Sequence, residues 1–431
     1  MDGPSSSWRS ALSRSAPSPR QFTPSCRPIF TYLKSSRSSF RFWRRLSGFV
    51  PWPLRLAVCC GPADGYWKDS SITPIDEGPG PSRRPSWLPN YIPELQGLRG
   101  IAVLAVVLYH SHPRLQGTWL YGASLWGWAG VNLFFVLSGF LITAILLEAR
   151  SRPHYFRNFY ARRALRIWPV YLLVLALCYL GSDWFVGLPF GRAIRTAPWW
   201  AYVLFLQNLF ALHLPPVLGP TWSLAIEEQY YFLWAPVVRI LRRRAALCTV
   251  LGAALIASPL FRRCHWPWIT PTHTLTHLDG IATGSLIAIA LYSLELSRRT
   301  WLGIAVAGMA VGFVAAGTVA GGTAWLDSAL SAAFGGTVLA AIASTGAHNP
   351  FNAALRRGPL AYLGKISYGM YMTHILVFVY FGWFDRWMDA YGTLGNMAVV
   401  AFRLAAAIAA ATLLWYGFEA RILRLKRFFK E

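Results

Sequence analysis

Charged residues are scarce in this chain of 431 residues, and acidic residues are the scarcest. Only 13% of the residues are charged, and 17 Asp and Glu stand against 41 Lys and Arg. A soluble domain is about 25% charged, so this composition excludes an ordinary cytosolic enzyme, which needs charge on its water-facing surface. The six cysteines form no CxxC spacing, which excludes a disulfide-rich secreted module and predicts that the protein binds no metal.

Apolar segments and tryptophan are abundant instead. Hydrophobic residues make up 55% of the chain, 21 residues are Trp, and the mean hydropathy is +0.38. These values are typical of a protein with several membrane spans. The formal net charge of +24 also fits nucleic-acid binding, but the basic residues are spread over the loops between apolar runs. We therefore predict an all-α polytopic transmembrane bundle that contacts membrane lipid and no nucleic acid.

The first 90 residues differ from the rest. They are rich in Ser, Pro and Arg, and none of their apolar runs reaches the roughly 20 residues of a membrane span. We predict a disordered basic extension over 1–90, a membrane domain over 91–420 and a basic cytosolic tail over 421–431. Three interpretations of the extension stay open: a cytosolic tail attracted to anionic lipid, translated sequence upstream of the true start, or an organellar transit peptide.

Apolar runs recur after residue 95 and predict ten spans, at roughly 98–111, 122–147, 167–186, 221–241, 245–260, 278–294, 301–320, 325–345, 360–384 and 395–417. The run Trp199–Leu212 is shorter and predicts a re-entrant or interfacial helix. If this run does not cross, about 19 basic residues lie in cytosolic loops and about 6 outside; if it crosses, the counts become about 9 and 16. The first topology obeys the positive-inside rule and puts both termini in the cytosol.

The few ionisable residues inside these spans indicate a function, since charge at membrane depth is costly. Arg99 and His110 lie 11 residues apart on the first span, so they share one helix face about 16.5 Å apart along the axis. Glu227 and Glu228 point about 100° apart, so only one can face a given partner squarely. His374 follows Tyr371 on the ninth span. The alternatives are a snorkelling arginine, interfacial acids and a packed core histidine.

Three arginines, Arg162, Arg163 and Arg166, lie at the cytosolic mouth of the third span. Their planar guanidinium groups suit bidentate phosphate binding, although positive-inside anchoring alone would also explain them. Phosphate-binding groups would then face the cytosol, while a histidine and carboxylates face outward. This polarity predicts transfer of a group from a phosphorylated donor inside to an acceptor outside.

Six ordered sequence blocks resemble acyltransferase family 3, the polytopic enzymes that O-acylate bacterial surface glycans. The blocks are ELQGLRGIAVLAVVLYH, GVNLFFVLSGFLIT, FYARRALRIWPVY, TWSLAIEEQYYFLW, HLDGIATGSL and LGKISYGMYMTHILV. The resemblance implies that Arg99 and His110 are essential and that the Arg162–Arg166 cluster serves the acyl-CoA end. Asn132 stands where the family commonly has Asp, so no acidic role is expected there. The esterase-like domain that some relatives carry after the last span is not expected here.

We therefore expect an integral membrane O-acyltransferase of the bacterial inner membrane. It would move an acyl group, by default acetyl, from cytosolic acyl-CoA to a hydroxyl of an extracytoplasmic carbohydrate such as O-antigen or exopolysaccharide, or of a lipid-linked glycan. His110 would accept the hydroxyl proton or carry the acyl group itself, with Glu227 or Glu228 orienting it and His374 as a further site residue. The alternatives are a transporter or flippase without covalent chemistry, and a sensor or scaffold protein.

Overall fold

A computed structural model describes residues 84–180, 198–209, 215–264, 266, 268–319 and 324–429. Most of the predicted disordered extension, residues 1–83, lies outside the described residues. Within the described ranges the chain is helical and contains no strand, which confirms the all-α fold class.

Ten helices of 14 residues or more occur in the described part of the chain. In order, α1 to α10 are Pro93–Tyr109, Gly130–Ala149, Tyr155–Leu180, Thr221–Ile240, Arg244–Arg263, Leu278–Leu291, Arg298–Thr318, Leu326–Ala343, Gly358–Tyr380 and Gly392–Leu414. Shorter helices are Leu120–Leu125, Trp199–Val203, Pro350–Leu355, Gly382–Met388 and Ala420–Leu423, with a π-helical turn at Trp415–Glu419. Short 3₁₀ turns are His112–Leu115, Gly127–Ala129, Pro216–Leu218, Thr274–Thr276, Asp389–Tyr391 and Arg424–Phe428.

Six helices in this part of the chain are long and apolar enough to cross a membrane, which identifies an integral membrane protein. They include α2, α3, α5, α7, α8 and α10. The prediction of ten spans stays a prediction for α1, α4, α6 and α9. Those four helices are short or carry polar side chains, and they are the helices on which the sequence places Arg99, Glu227, Asp279 and His374.

Successive long helices run in opposite directions and join two ends of the bundle. We call the end where α1 begins and α2 ends the arginine-rich end. There Arg356 pairs at 2.5 Å with Glu94, which is completely buried, and Arg150 donates a hydrogen bond to the Leu241 carbonyl at 2.5 Å. The other end, where α1 ends near His110, is called the opposite end.

Glycines let the central helices approach each other at backbone distance. A Cβ atom at Gly139 of α2 would overlap the carbonyl oxygen of Ile281 in α6, and one at Gly364 of α9 would overlap that of Gln96 in α1. Small residues at such contacts allow the close helix packing that holds membrane bundles together. The α1–α9 and α2–α6 contacts are both parallel.

In its described part, residues 199–209, the segment that the sequence predicts to be re-entrant forms the short helix Trp199–Val203. The chain turns at Phe205, whose φ is +55°, and residues 210–214 lie outside the described ranges. The Gln229 amide of α4 donates to the Phe205 carbonyl at 2.6 Å and to Asn208 at 2.8 Å. Buried hydrogen bonds therefore fix the end of this short helix against α4.

Replacing Gly139 by Ala should lower the thermal unfolding midpoint, because the new methyl group forces α2 and α6 apart. Overpacking of this kind costs roughly 1–3 kcal/mol. Thermal unfolding of detergent-solubilised protein, followed by size-exclusion chromatography, measures the shift. Gly303→Ala on α7 is the matched control, since no atom lies within 4 Å of a Cβ there. Equal midpoints for the two variants would contradict the proposed backbone contact.

Candidate functional site

The arginines at the start of α3 contact the end of the chain. Arg166 forms an ion pair with Glu419 at 2.9 Å, and Glu419 is only 3% exposed. Arg162 donates a hydrogen bond to the Phe429 carbonyl at 3.1 Å. The charge of Arg163 lies within electrostatic reach of Glu227 and Glu228. All three predicted phosphate-binding arginines therefore lie at the arginine-rich end, and two of them contact the C-terminal segment.

Arg99 and Glu227 border a small cavity in the interior of the bundle, with a volume of about 70 Å³. Arg99 donates from Nε to the Ser367 hydroxyl of α9 at 3.3 Å. Glu227 accepts hydrogen bonds from Ser138 at 3.0 Å and Tyr231 at 2.8 Å, one on each carboxylate oxygen. Both carboxyl oxygens of Glu227 thus have a hydrogen-bond partner, and Arg99 lies at the wall of the same cavity.

Glu228 points away from this cavity. Its Oε2 accepts a hydrogen bond from the Trp168 indole at 3.2 Å, while its Oε1 is buried with no partner among the described residues. The two adjacent carboxyl groups thus have separate surroundings: Glu227 lines the small cavity and Glu228 does not.

His110 and His374 form a pair where α1 and α9 meet. His110 Nδ1 lies 2.9 Å from the Val106 carbonyl oxygen and 3.3 Å from His374 Nε2. His374 is completely buried, and its Nδ1 lies 2.7 Å from the Tyr371 carbonyl oxygen. The side-chain partner of His110 is therefore a histidine and not a carboxylate, because α4 turns Glu227 towards Ser138 and Tyr231 instead.

The carbonyl oxygens assign the tautomers of both rings. A carbonyl only accepts, so the Nδ1 of His374 carries its proton and the Nε2 has a lone pair. His110 likewise carries its proton on Nδ1, where the Val106 carbonyl and His374 Nε2 are both acceptors. In this tautomer His110 Nε2 is unprotonated, and His110 lines a second cavity.

That second cavity lies at the opposite end and has a volume of about 910 Å³. Aromatic rings line much of it, namely Tyr109, Trp128, Trp222, Phe261, Trp266 and Tyr371. Its polar wall contains Asp327, which accepts a hydrogen bond from Asn132 at 3.0 Å and lies 3.7 Å from Arg262. Asp327 thus places a carboxyl group beside Asn132, the position at which the chain lacks the acidic residue that the family commonly has. A volume of this size is typical of sites for organic ligands.

His277 also lines the second cavity, packed against the Trp222 ring at 4.9 Å between centroids. Its Nε2 lies 2.8 Å from the Pro271 carbonyl oxygen in the loop before α6. Burial lowers the pKa of His277, so the ring is neutral near pH 7. Asp279, two residues further along the chain, pairs with Arg262 at 2.7 Å.

The two cavities share Val131 and Tyr371 as wall residues. The Tyr371 hydroxyl lies 2.6 Å from the Ser223 hydroxyl and donates to the Pro220 carbonyl at 3.1 Å. The two cavities thus adjoin inside the bundle in a line from Arg99 to His110, with Tyr371 between them, and we call this line the route. No cluster of His, Cys, Asp and Glu that could hold a metal ion occurs in the described ranges.

Sequence reasoning missed Asp327, Arg262, His277, Trp222 and Tyr371 as members of the cavity walls. His277 lies in the block HLDGIATGSL and Trp222 in the block TWSLAIEEQYYFLW, so membership of these blocks could have identified both residues. Asp327 lies in the first turn of α8, outside the six sequence blocks, so no local motif identifies it.

The sequence of the chain is similar to those of known acyltransferases. The profile of the acyltransferase domain of acyltransferase family 3 matches residues 92–416. The peptidoglycan O-acetyltransferase OatA of Listeria monocytogenes is 29% identical over 216 residues, which are 47% of this chain and 33% of that protein. The O-acetyltransferase OatA of Staphylococcus aureus is 27% identical over 324 residues, or 68% of this chain and 51% of that protein.

The YrhL protein of Bacillus subtilis is 36% identical over 182 residues, which are 39% of this chain and 27% of that protein. The chain therefore spans about half or less of the length of these relatives. No solved structure matches it. Because the profile covers most of its length, the chain belongs to acyltransferase family 3.

Proposed function

We propose that the protein is an integral membrane O-acyltransferase that moves an acetyl group from cytosolic acetyl-CoA to a hydroxyl of an extracytoplasmic glycan. The observation that carries the proposal is the route of two adjoining cavities between Arg99 and His110. One cavity begins near the arginine cluster and the other has an unprotonated nitrogen at its edge. Family membership supports acyl transfer over transport without chemistry.

Loop charge assigns the two ends to the two sides of the membrane. The loops at the arginine-rich end hold most of the basic residues that flank the helices, and such loops stay in the cytosol of a bacterial cell. The donor then meets Arg162, Arg163 and Arg166 from the cytosol, where acyl-CoA is available. The acceptor enters the larger cavity from the extracytoplasmic side.

The transfer needs one base and no metal. As the acceptor hydroxyl oxygen attacks the thioester carbonyl, His110 Nε2 takes its proton, and the His374 pair keeps the ring in the tautomer that can do so. The carbon–sulfur bond breaks while the ester carbon–oxygen bond forms. CoA then leaves as the thiol after receiving the proton from the His110 imidazolium. An acyl-histidine intermediate would use the same nitrogen as nucleophile.

Glu227 and Arg99 hold the donor side of the route. Arg99 supplies a positive charge beside the small cavity, and Glu227 lies within electrostatic reach of it. Glu227 is fixed by Ser138 and Tyr231, so it acts on Arg99 through electrostatics and does not contact His110. Glu228 does not contact the route and contributes less.

The acceptor is a carbohydrate, because the larger cavity combines exposed ring faces with a carboxylate and an amide. Trp222 and Trp266 offer surfaces on which a sugar ring can stack, and Asp327 and Asn132 offer acceptors and donors for hydroxyl groups. The name of the Listeria relative makes peptidoglycan the first acceptor to test. O-antigen and exopolysaccharide are the next.

His110→Ala should abolish CoA release from acetyl-CoA in the presence of peptidoglycan fragments, since a general base contributes about 10²–10⁴-fold to the rate. The assay uses purified protein in nanodiscs and follows free thiol. His112→Ala is the matched control, because His112 does not line the cavity. Equal release from wild type and His110→Ala would remove His110 from the chemistry. Substrate flux without CoA release would point to a transporter.

The adjacent glutamates provide a second comparison. Glu227→Gln should lower kcat/KM for acetyl-CoA by about tenfold or more, because a buried charged hydrogen-bond network is worth roughly 1.5–3 kcal/mol. Glu228→Gln should stay within about threefold of wild type, since it removes a charge at the same depth but away from the cavity. A larger loss in Glu228→Gln than in Glu227→Gln would contradict the assignment.

A further inference from the structure

The carboxyl group on the wall of the larger cavity belongs to Asp327. This residue lies in the first turn of α8, and it is the one acidic residue among the described residues that line this cavity. Its Oδ1 accepts a hydrogen bond from the Asn132 amide at 3.0 Å, and its Oδ2 lies 3.7 Å from Nε of Arg262. The side chain is 18% exposed. These contacts fix the carboxyl group and leave it open to a ligand in the cavity.

Arg262 does not neutralise Asp327, because it already has a closer acidic partner. Its Nη2 donates to the buried Asp279 at 2.7 Å, and the two residues form an ion pair. Its Nε donates to the Ala324 carbonyl at 2.7 Å, and its Nη1 donates to that of Thr276. Two aspartates therefore share one guanidinium group. Since an aspartate normally carries a negative charge near pH 7, this part of the wall has an excess of one negative charge.

The two histidines of the cavity wall add hydrogen-bond acceptors to this charge. The Nε2 of His277 lies 2.8 Å from the Pro271 carbonyl oxygen, which can only accept, so the lone pair of the ring is on Nδ1. In His110 the lone pair is on Nε2, because the Val106 carbonyl takes the proton of Nδ1. The titratable side chains that line the described cavity thus match a ligand that donates hydrogen bonds.

A structural role in α8 explains the presence of Asp327 but not its exposure to the cavity. A carboxylate in the first turn of a helix is favoured by the helix dipole. Asp279 has that role in α6, where it is 2% exposed and paired with Arg262. Asp327 also begins its helix, but it faces a space of the size that organic ligands occupy. It therefore combines an accessible negative charge with a place for a ligand.

We propose that Asp327 selects the acceptor by its charge: the larger cavity takes sugars that carry hydroxyl or ammonium groups and rejects sugars that carry a carboxylate. A negative charge attracts these donors and repels a second carboxylate, and repulsion of this kind is a common source of specificity. The inference rests on the proposed function. It names the class of acceptor within that function as neutral or amino sugars rather than uronic acids.

The test measures the binding of three matched oligosaccharides to the full chain in nanodiscs by isothermal titration calorimetry, with no acyl donor present. Cellotetraose is neutral, its glucosamine counterpart carries ammonium groups, and its glucuronic acid counterpart carries carboxylates. Wild type should bind the amino sugar most tightly and the uronic acid most weakly. Asp327→Asn keeps an acceptor for Asn132 and should raise the Kd of the amino sugar about tenfold, lower that of the uronic acid about tenfold, and leave that of cellotetraose within about threefold.

Two further variants separate charge selection from a structural effect. Asp389→Asn is the matched control, because it removes the same charge from an exposed position at the opposite end that does not line the cavity, and it should leave the order of binding unchanged. Asp327→Glu keeps the charge and should keep the wild-type order.

The inference is overturned if wild type binds the three sugars equally, or if Asp327→Asn changes all three Kd values in the same direction. Equal shifts in Asp327→Asn and Asp389→Asn would also overturn it, since the effect would then be one of overall charge. Binding in the expected order by wild type, without any acetyl transfer, would instead count against the proposed function and leave the selection by charge standing.

Discussion

The close contact of α1 with α9 is the feature on which the rest of the site depends. Gly364 lets the two backbones touch, and the parallel packing then sets every residue of one helix beside a residue of the other. The same helix pair brings Arg99 to Ser367 towards the arginine-rich end and His110 to His374 towards the opposite end. One interface therefore fixes both ends of the route, although the paired residues are more than 260 positions apart in the chain.

Much of this arrangement follows from the sequence. The ten apolar runs correspond in order to the ten long helices, because length and hydropathy are local properties. Eleven-residue spacing correctly requires Arg99 and His110 to share a face, and adjacency requires Glu227 and Glu228 to diverge. The sequence could not say which glutamate borders a cavity, because that depends on how α4 rotates against α2, where Ser138 lies.

Other features depend on contacts between distant segments and leave no local pattern. Asp327 and Asn132 meet only because α8 packs beside α2. Glu419, which pairs with Arg166, lies in the π-helical turn after α10. No turn or capping motif in the sequence predicts that turn. Polar residues also lower the apparent hydropathy of the helices that carry them, so the helices of the site are the hardest to recognise as spans.

Under the proposed function, the boundary between the two cavities separates the acyl donor from the acceptor. A thioester that reached water would be hydrolysed, so a transferase must keep the donor away from the solvent that enters with the acceptor. Tyr371 stands at this boundary, held by Ser223 and the Pro220 carbonyl, with Val131 beside it. The cavity proposed for the donor is small and lined by Arg99, whereas the cavity proposed for the acceptor is large and lined by aromatic rings. Under the proposed function, the acyl group has to pass Tyr371, whose carbonyl oxygen lies 2.7 Å from Nδ1 of the buried His374 one helical turn later.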